Sequence, residues 1–268
     1  MAGDLVLTDA SVTYRQRAGV SLTAVDSVSL SIAPGEVVGL VGESGCGKST
    51  LAKAVCGLEP LSGGSVTFDG QPVRPLGLRR RPERLQRIQM VFQNPYASLN
   101  PRRRVGAQID DARAIHPGGP KGAPSVAALL DDVGLPESAA RRYPHEFSGG
   151  QRQRIAIARA VAAGPELLIG DEPIASLDAS LQARIALLMR RIALDAGAAL
   201  LFISHDLAVV RLIADRVAVM HGGRVVEQGP TEQIWSDPQE AYTQRLLAAI
   251  PVADGLGHLP DVAEIVGA

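Results

Sequence analysis

The sequence predicts an α/β fold with an antiparallel β flank and a helical segment. Short apolar runs that are typical of buried strands occur at 37–41 and again from 167 onward. A strand-rich region precedes them at 5–32, and a polar, helix-rich stretch covers about 94–163. The chain has 268 residues, of which 46% are hydrophobic, so it can bury one large or two small cores.

The first third of the chain predicts antiparallel strands. Polar and apolar residues alternate over 28–32, and an Ala-Pro-Gly turn follows at 33–35. The run 66–68 before Asp69-Gly70 predicts a hairpin. Further along, the glycine- and proline-rich residues 118–124 predict a surface loop.

The most specific motif is a glycine-rich loop, Gly42–Ser49, which matches the pattern Gly, four residues, Gly-Lys-Ser. An apolar run precedes it and a helix-like segment (50–55) follows, which is the context that a phosphate-binding loop needs. The glycines let backbone N–H groups point inward around a phosphate, and the helix adds its positive N-terminal end. A flexible Gly/Ser loop is the alternative, but the strand and the helix on either side argue against it.

Within this loop we expect Lys48 to reach the β- and γ-phosphates of ATP and Ser49 to offer its hydroxyl to Mg²⁺. The residues predicted to contact ATP here are Gly42, Glu43, Ser44, Gly45, Cys46, Gly47, Lys48, Ser49 and Thr50.

A second candidate element is the apolar run 167–169, which leads through Gly170 into two carboxylates. A buried strand there would deliver Asp171 and Glu172 to the edge of an α/β sheet where ligands collect. We expect Asp171 to hold Mg²⁺ and Glu172 to accept the proton of an attacking water. A solvated acidic strand end is the alternative, and the phosphate loop in the same chain favours the catalytic interpretation.

The four residues Ser148-Gly149-Gly150-Gln151, upstream of the acidic strand, resemble the signature motif of ATP-binding-cassette (ABC) ATPases. Ser148 is a good N-cap for the helix-like segment 151–163, whose bare N–H groups and positive dipole end suit an anion. In that family the anion is the γ-phosphate of an ATP bound to a different subunit. The resemblance therefore implies that the chain works as a dimer of cassettes, and that a monomer binds ATP but hydrolyses it poorly.

The same resemblance implies the fold and the remaining site residues. The fold is a phosphate-loop NTPase cassette over 1–251, with a RecA-like α/β core, an antiparallel β flank and a helical subdomain at about 94–163. The resemblance gives Gln93 a Q-loop contact to Mg²⁺ and water, and His205 a contact to the γ-phosphate. It also makes Tyr14 a stacking partner of adenine and Asp178 the D-loop residue.

Three longer stretches, 92–101, 143–148 and 241–251, resemble the ATPases of dipeptide, oligopeptide and nickel importers, especially the second (F-type) subunit. This implies an ATP-hydrolysing subunit of a bacterial importer at the cytoplasmic face of the cell membrane, with residues 232–268 as a C-terminal extension. The implied partners are a second ABC ATPase in a heterodimer, or a homodimer, two transmembrane permeases and, indirectly, a substrate-binding protein. The sequence does not separate peptides, nickel, glutathione and sugars as cargo.

Composition limits the other classes of function. A net charge of −1 and a pI of about 6.5 give no electrostatic case for nucleic-acid binding. No apolar stretch reaches the roughly 18 residues of a membrane span, and the N-terminus lacks signal-peptide features, so a cytosolic chain is expected. The alternative within the family is a non-transport ABC ATPase, a DNA-repair or translation factor. The chain has neither the coiled-coil insertion nor the second cassette of those proteins.

Overall fold

The computed structural model describes residues 3–15, 21–77, 81–94, 98–175 and 179–249. The strands are β1 (Leu5–Arg15), β2 (Ser21–Ile32), β3 (Val37–Val41), β4 (Gly63–Phe68), β5 (Gln71–Pro72), β6 (Ile88–Val91), β7 (Leu167–Asp171), β8 (Ala199–Ile203), β9 (Arg216–His221) and β10 (Arg224–Pro230). The α-helices are α1 (Lys48–Val55), α2 (Val105–Arg113), α3 (Gly119–Gly122), α4 (Val126–Asp132), α5 (Gly149–Ala162), α6 (Ala179–Asp195), α7 (Leu207–Ile213), α8 (Thr231–Ser236) and α9 (Ala241–Ala248). None of the helices in these ranges is long and apolar enough to cross a membrane.

The strands form two sheets. One has the order β2-β1-β4-β5 and is antiparallel throughout. The other has the order β10-β9-β3-β8-β7-β6, in which the neighbours from β9 to β6 are parallel and β10 is antiparallel. The antiparallel flank and the α/β core that the sequence predicted are therefore separate sheets.

The mainly parallel sheet lies between two apolar layers, as β3 shows. Val38 and Leu40 pack with the antiparallel sheet and α1, whereas Val37 and Val41 pack with α2, α4, α5, α6 and α7. Successive side chains of a strand point to opposite faces, so a strand buried on both faces is a continuous apolar run. This burial explains why the core strands contain almost no polar residues before their final positions.

The helices α2, α3, α4 and α5 follow β6 and precede β7. The predicted surface loop at 118–124 is wrong in part, because the structure places the short helix α3 there. Pro120 lies in its first turn, where a missing N–H is tolerated. The division of the chain into a helical subdomain and a C-terminal extension stays a prediction.

The parallel register brings the predicted catalytic segments to one edge of the sheet. Asp171 at the end of β7 pairs with Ile203 at the end of β8, and Leu40 of β3 pairs with the same residue. The loops that leave β3, β6, β7 and β8 therefore begin at the same edge, where ligands of α/β sheets bind.

Candidate active site

The phosphate loop depends on two glycines with positive φ. Gly42 has φ 146°, and a Cβ there would lie 2.1 Å from the carbonyl oxygen of Met220. Gly47 has φ 107°, and its Cβ would lie 2.1 Å from the carbonyl oxygen of Ala24. A side chain at either position would collide with backbone, so the loop can pass this close to β2 and β9 only with glycine.

Helix α1 begins at Lys48, directly after this turn. Gly47 is its N-cap and supplies no side-chain hydrogen bond. The first N–H groups of the helix are therefore left for another acceptor, and the dipole makes this end of the helix positive. A helix end of this kind suits an anion, and phosphate binding there stays a prediction of the sequence motif.

Lys48 is buried in the loop, with 5% of its surface exposed. Its ammonium group donates to the carbonyl oxygens of Gly42 at 2.7 Å and Glu43 at 2.8 Å. It also lies 3.7 Å from Cys46 Sγ, a weak acceptor. A lysine ammonium has three N–H donors, so a phosphate oxygen in place of the sulfur would give the third donor a strong acceptor.

Asp171 and Ser49 meet at the foot of the loop. The Ser49 hydroxyl donates to Asp171 Oδ1 at 2.7 Å. Burial raises the pKa of Asp171, while the hydrogen bond from Ser49 opposes the rise. A desolvated carboxylate beside a hydroxyl is an all-oxygen donor pair that a dication would stabilise, so these residues fit the predicted Mg²⁺ site.

Glu172 is held by groups at the ends of β6 and β8, the strands on either side of β7. Its backbone N–H donates to the carbonyl of Ile203 at 3.0 Å. Its Oε2 accepts a hydrogen bond from Gln93 Nε2 at 2.9 Å and lies 3.5 Å from His205 Nδ1. Two residues that the sequence assigned to catalysis, Gln93 and His205, therefore converge on one carboxylate oxygen of a third, although the two are 112 positions apart in the chain.

Lys48, Ser49, Gln93 and Glu172 border a cavity of about 330 Å³, which is within the usual range for small-molecule sites, whereas Asp171 and His205 do not line it. Tyr14 lies at its rim with its hydroxyl 3.5 Å from Thr50 Oγ1. The residues that line it are Tyr14, Leu22, Ala24, Ser44, Gly45, Gly47, Lys48, Ser49, Thr50, Gln93 and Glu172. Leu22 and Ala24 of β2 were not predicted, because an apolar strand residue carries no local sign of ligand contact.

The signature residues lie apart from this cavity, and none of Ser148, Gly149, Gly150 and Gln151 lines it. Ser148 caps α5 as predicted: its hydroxyl accepts from the Gln151 N–H at 3.3 Å, and Gln151 Oε1 accepts from the Ser148 N–H at 3.0 Å. Ser148 is exposed. The predicted D-loop residue Asp178 lies outside the described residues.

Sequence reasoning missed Tyr242 as a site residue. Tyr242 lies on α9, yet its hydroxyl accepts the backbone N–H of Glu43 in the phosphate loop at 3.0 Å. The two residues are 199 positions apart, so no local pattern could reveal the contact.

Three comparisons place the chain among known proteins. Residues 25–175 match the ABC transporter family. The chain is 45% identical to the oligopeptide transport ATP-binding protein OppF of Lactococcus lactis, with 95% of this chain and 82% of that protein covered. It is 46% identical to a putative peptide import ATP-binding protein of Brucella abortus, with 93% of this chain and 76% of that protein covered. It is also 48% identical to the glutathione import ATP-binding protein GsiA of Pectobacterium atrosepticum, with 86% of this chain but 37% of that protein covered.

Solved structures agree with this assignment. The dimeric ATP-binding cassette MJ0796, described in a post-hydrolysis state bound to ADP and Pi, superposes with a TM-score of 0.73 at 27% identity, over 85% of this chain and 98% of that one. CbiO1 of Clostridium perfringens, part of an ABC transporter complex, superposes with a TM-score of 0.70 at 27% identity, over 87% and 90% of the two chains.

The fold and the site thus define a phosphate-loop NTPase with the architecture of an ABC cassette, as predicted. The chain belongs to the ABC transporter family and is an ATP-binding ATPase of that family. The curated relatives named above are transport and import proteins, so the alternative of a DNA-repair or translation factor is not supported.

Proposed function

We propose that the chain is the ATP-hydrolysing subunit of a bacterial importer for peptides. The convergence of Gln93 and His205 on Glu172, beside a phosphate loop, carries the hydrolytic part of this proposal. The similarity to OppF over most of both chains supports the transport part. Glutathione is itself a tripeptide, so the relative GsiA supports the same class of cargo.

In the proposed reaction, ATP occupies the cavity between Tyr14 and the phosphate loop. The loop N–H groups and the Lys48 ammonium stabilise the phosphate charge. Ser49 and Asp171 would hold Mg²⁺, with Gln93 nearby, and the ion would neutralise charge on the phosphates.

The hydrolytic step uses Glu172 as the general base. A water oxygen attacks the γ-phosphorus, its proton passes to Glu172, and the bond to the β-phosphate oxygen breaks to release ADP and phosphate. Gln93 and His205 lie within contact distance of Glu172 Oε2 and therefore fix the carboxylate and the water beside it. Catalysis of this kind consists mainly of positioning and electrostatic stabilisation.

The exposed N-terminal end of the signature helix α5 supports a dimeric mechanism. This end does not line the cavity of its own chain, so the N–H groups that Ser148 does not cap would be available to a ligand held elsewhere. We infer that they bind the γ-phosphate of a second cassette, in a heterodimer with a related ATPase or in a homodimer. Binding of ATP would close the two cassettes and hydrolysis would reopen them.

This cycle would drive two permeases at the cytoplasmic face of the membrane, supplied by a substrate-binding protein. Gln93 follows β6, and the chain after it leads into the helices α2 to α5. Motion of these helices would transmit closure to the permeases. Nickel stays a predicted alternative cargo.

Affinity capture tests the proposed assembly. Tagged chain carrying Glu172→Gln is purified with ATP from detergent-solubilised host membranes. Lys48→Ala serves as the matched control, because it should not bind the ATP that holds the cassettes closed. We expect two multi-span permeases and a second cassette ATPase with the first variant and fewer with the second. Recovery only from the soluble fraction, or with DNA or ribosomes, would contradict the importer function and leave the ATPase chemistry intact.

A further inference from the structure

One peptide unit of the phosphate loop is held from both sides. The carbonyl of Gly42 accepts from the Lys48 ammonium at 2.7 Å, and the N–H of Glu43, which belongs to the same peptide, donates to Tyr242 at 3.0 Å. The two hydrogen bonds share one amide plane and polarise each other. The position of Lys48 is therefore linked through one peptide to a side chain of the C-terminal helix α9.

Tyr242 is fixed in place by its surroundings. Its side chain is buried, and its ring stacks on His221 with centroids 3.9 Å apart and planes 28° apart. His221 ends β9, next to Met220, whose carbonyl faces Gly42. A tyrosine hydroxyl is neutral at physiological pH, and burial raises the pKa of Tyr242 further, so the hydroxyl oxygen offers a lone pair to the amide.

The start of α9 is also anchored. The two carboxylate oxygens of Glu227, on β10, accept the backbone N–H groups of Gln239 at 2.8 Å and Glu240 at 3.2 Å. These residues directly precede α9, so the helix carrying Tyr242 is bound to the same sheet that carries the phosphate loop.

We propose that Tyr242 is a positioning residue for ATP binding. Its hydroxyl accepts the hydrogen bond of the Glu43 N–H, so this N–H does not bind a phosphate in this conformation. The same hydrogen bond holds the Gly42–Glu43 peptide at the angle that directs the Lys48 ammonium into the cavity. The C-terminal segment of the chain thereby sets the geometry of the nucleotide site. This inference rests on the proposed role of the phosphate loop and adds a residue to it.

The test uses Tyr242→Phe, which keeps the ring and its stacking on His221 and removes only the hydroxyl. We expect the Kd for ATP, measured by calorimetry on the full chain, to rise about two- to thirteenfold, which corresponds to the roughly 0.5–1.5 kcal/mol net contribution of one hydrogen bond. The KM for ATP should rise by a similar factor, and kcat should stay within about twofold because no catalytic group changes.

Tyr143→Phe is the matched control. Tyr143 also stacks on a histidine, His145, with centroids 5.7 Å apart, but it lies on the helical side of the molecule and does not line the cavity. We expect its Kd for ATP to match that of the unaltered chain. A purely structural role for Tyr242 would lower the melting temperature without changing the Kd of the folded protein.

Lys48→Ala separates failure of this inference from failure of the site. If Lys48→Ala loses ATP binding while Tyr242→Phe binds as the unaltered chain does, Tyr242 is not a positioning residue and the site stands. If Lys48→Ala also retains full affinity, the phosphate-loop assignment is wrong as well. A fall in kcat at unchanged affinity in Tyr242→Phe would equally overturn the inference.

Discussion

Glu172, the proposed catalytic base, has an uncommon backbone conformation. Its φ is 46°, in a region where non-glycine residues are rare and cost of order 1 kcal/mol or more. The turn after β7 accepts this cost because it aims the carboxylate at Gln93 and His205. The paired carboxylates at the end of an apolar strand predicted the residue, but this turn of the backbone has no signal in the sequence.

Glu172→Gln tests the base assignment at this scale. The amide keeps the shape of the side chain but cannot take a proton, so ATP affinity should persist while turnover falls about 100-fold or more. Glu137→Gln, at an exposed carboxylate on the helical side, is the control and should turn over normally. Near-normal turnover in Glu172→Gln would show that another group removes the proton.

Cys56 gives a pH-dependent prediction. Burial raises the pKa of its thiol from 9.0 to about 12, so the folded state keeps a proton that the unfolded state loses above pH 9. The stabilisation is complete below pH 9 and is lost as the pH rises from 9 to about 12. Relative to Cys56→Ala, the unfolding free energy should fall with a slope approaching about 1.4 kcal/mol per pH unit above pH 9.

Denaturant titrations of both proteins from pH 7 to 10.5 measure this difference. Parallel pH profiles would contradict the buried, neutral thiol.

At the scale of elements, local signals predicted well the strands and helices that carry the proposed site. The apolar runs became β3, β7, β8 and β9, and Ser148 caps α5 with the predicted geometry. The surface loop at 118–124 was wrong in part because glycine and proline are both compatible with a single helical turn that begins with proline. Patterns that span one element are reliable here, whereas a four-residue helix has no period to detect.

Substitutions at Ser148 and Ser125 distinguish a role in helix capping from a role in ATP hydrolysis. Ser125 caps α4 by accepting the Ala128 N–H at 3.1 Å, as Ser148 caps α5. Alanine at either position should lower the free energy of unfolding by about 1 kcal/mol. Only Ser148→Ala should also lower the turnover of the assembled ATPase, by about 10- to 100-fold, without changing ATP binding by the isolated chain. Equal turnover in the two variants would limit Ser148 to a structural role.

At the scale of the whole molecule, one carboxylate joins the two sheets. Glu166, just before β7, accepts hydrogen bonds from Arg84 at 2.6 Å, from Arg87, and from the Gly3 N–H at 3.2 Å. Arg84 also pairs with Asp69 of the antiparallel hairpin at 2.7 Å. This network and the Tyr242 contact are long-range, and so the sequence, read segment by segment, could predict neither.

Glu166→Gln tests the network. The side chain is 14% exposed, and the substitution removes the charge that two arginines share, so the free energy of unfolding should fall by about 2 kcal/mol. Glu232→Gln breaks the exposed pair with Arg211 and should cost less than about 0.5 kcal/mol. If urea titrations show similar losses of unfolding free energy for the two variants, the Glu166 contacts contribute no more than an exposed ion pair.

The dimeric site is the central claim, and turnover per chain as a function of chain concentration tests it most directly. With saturating Mg²⁺ and ATP, and light scattering on the same samples, we predict turnover near the background rate for the monomer. Turnover should rise only as dimers form or when the captured second cassette is added. Constant, full turnover in samples that remain monomeric would contradict the account, because one chain would then contain a complete site.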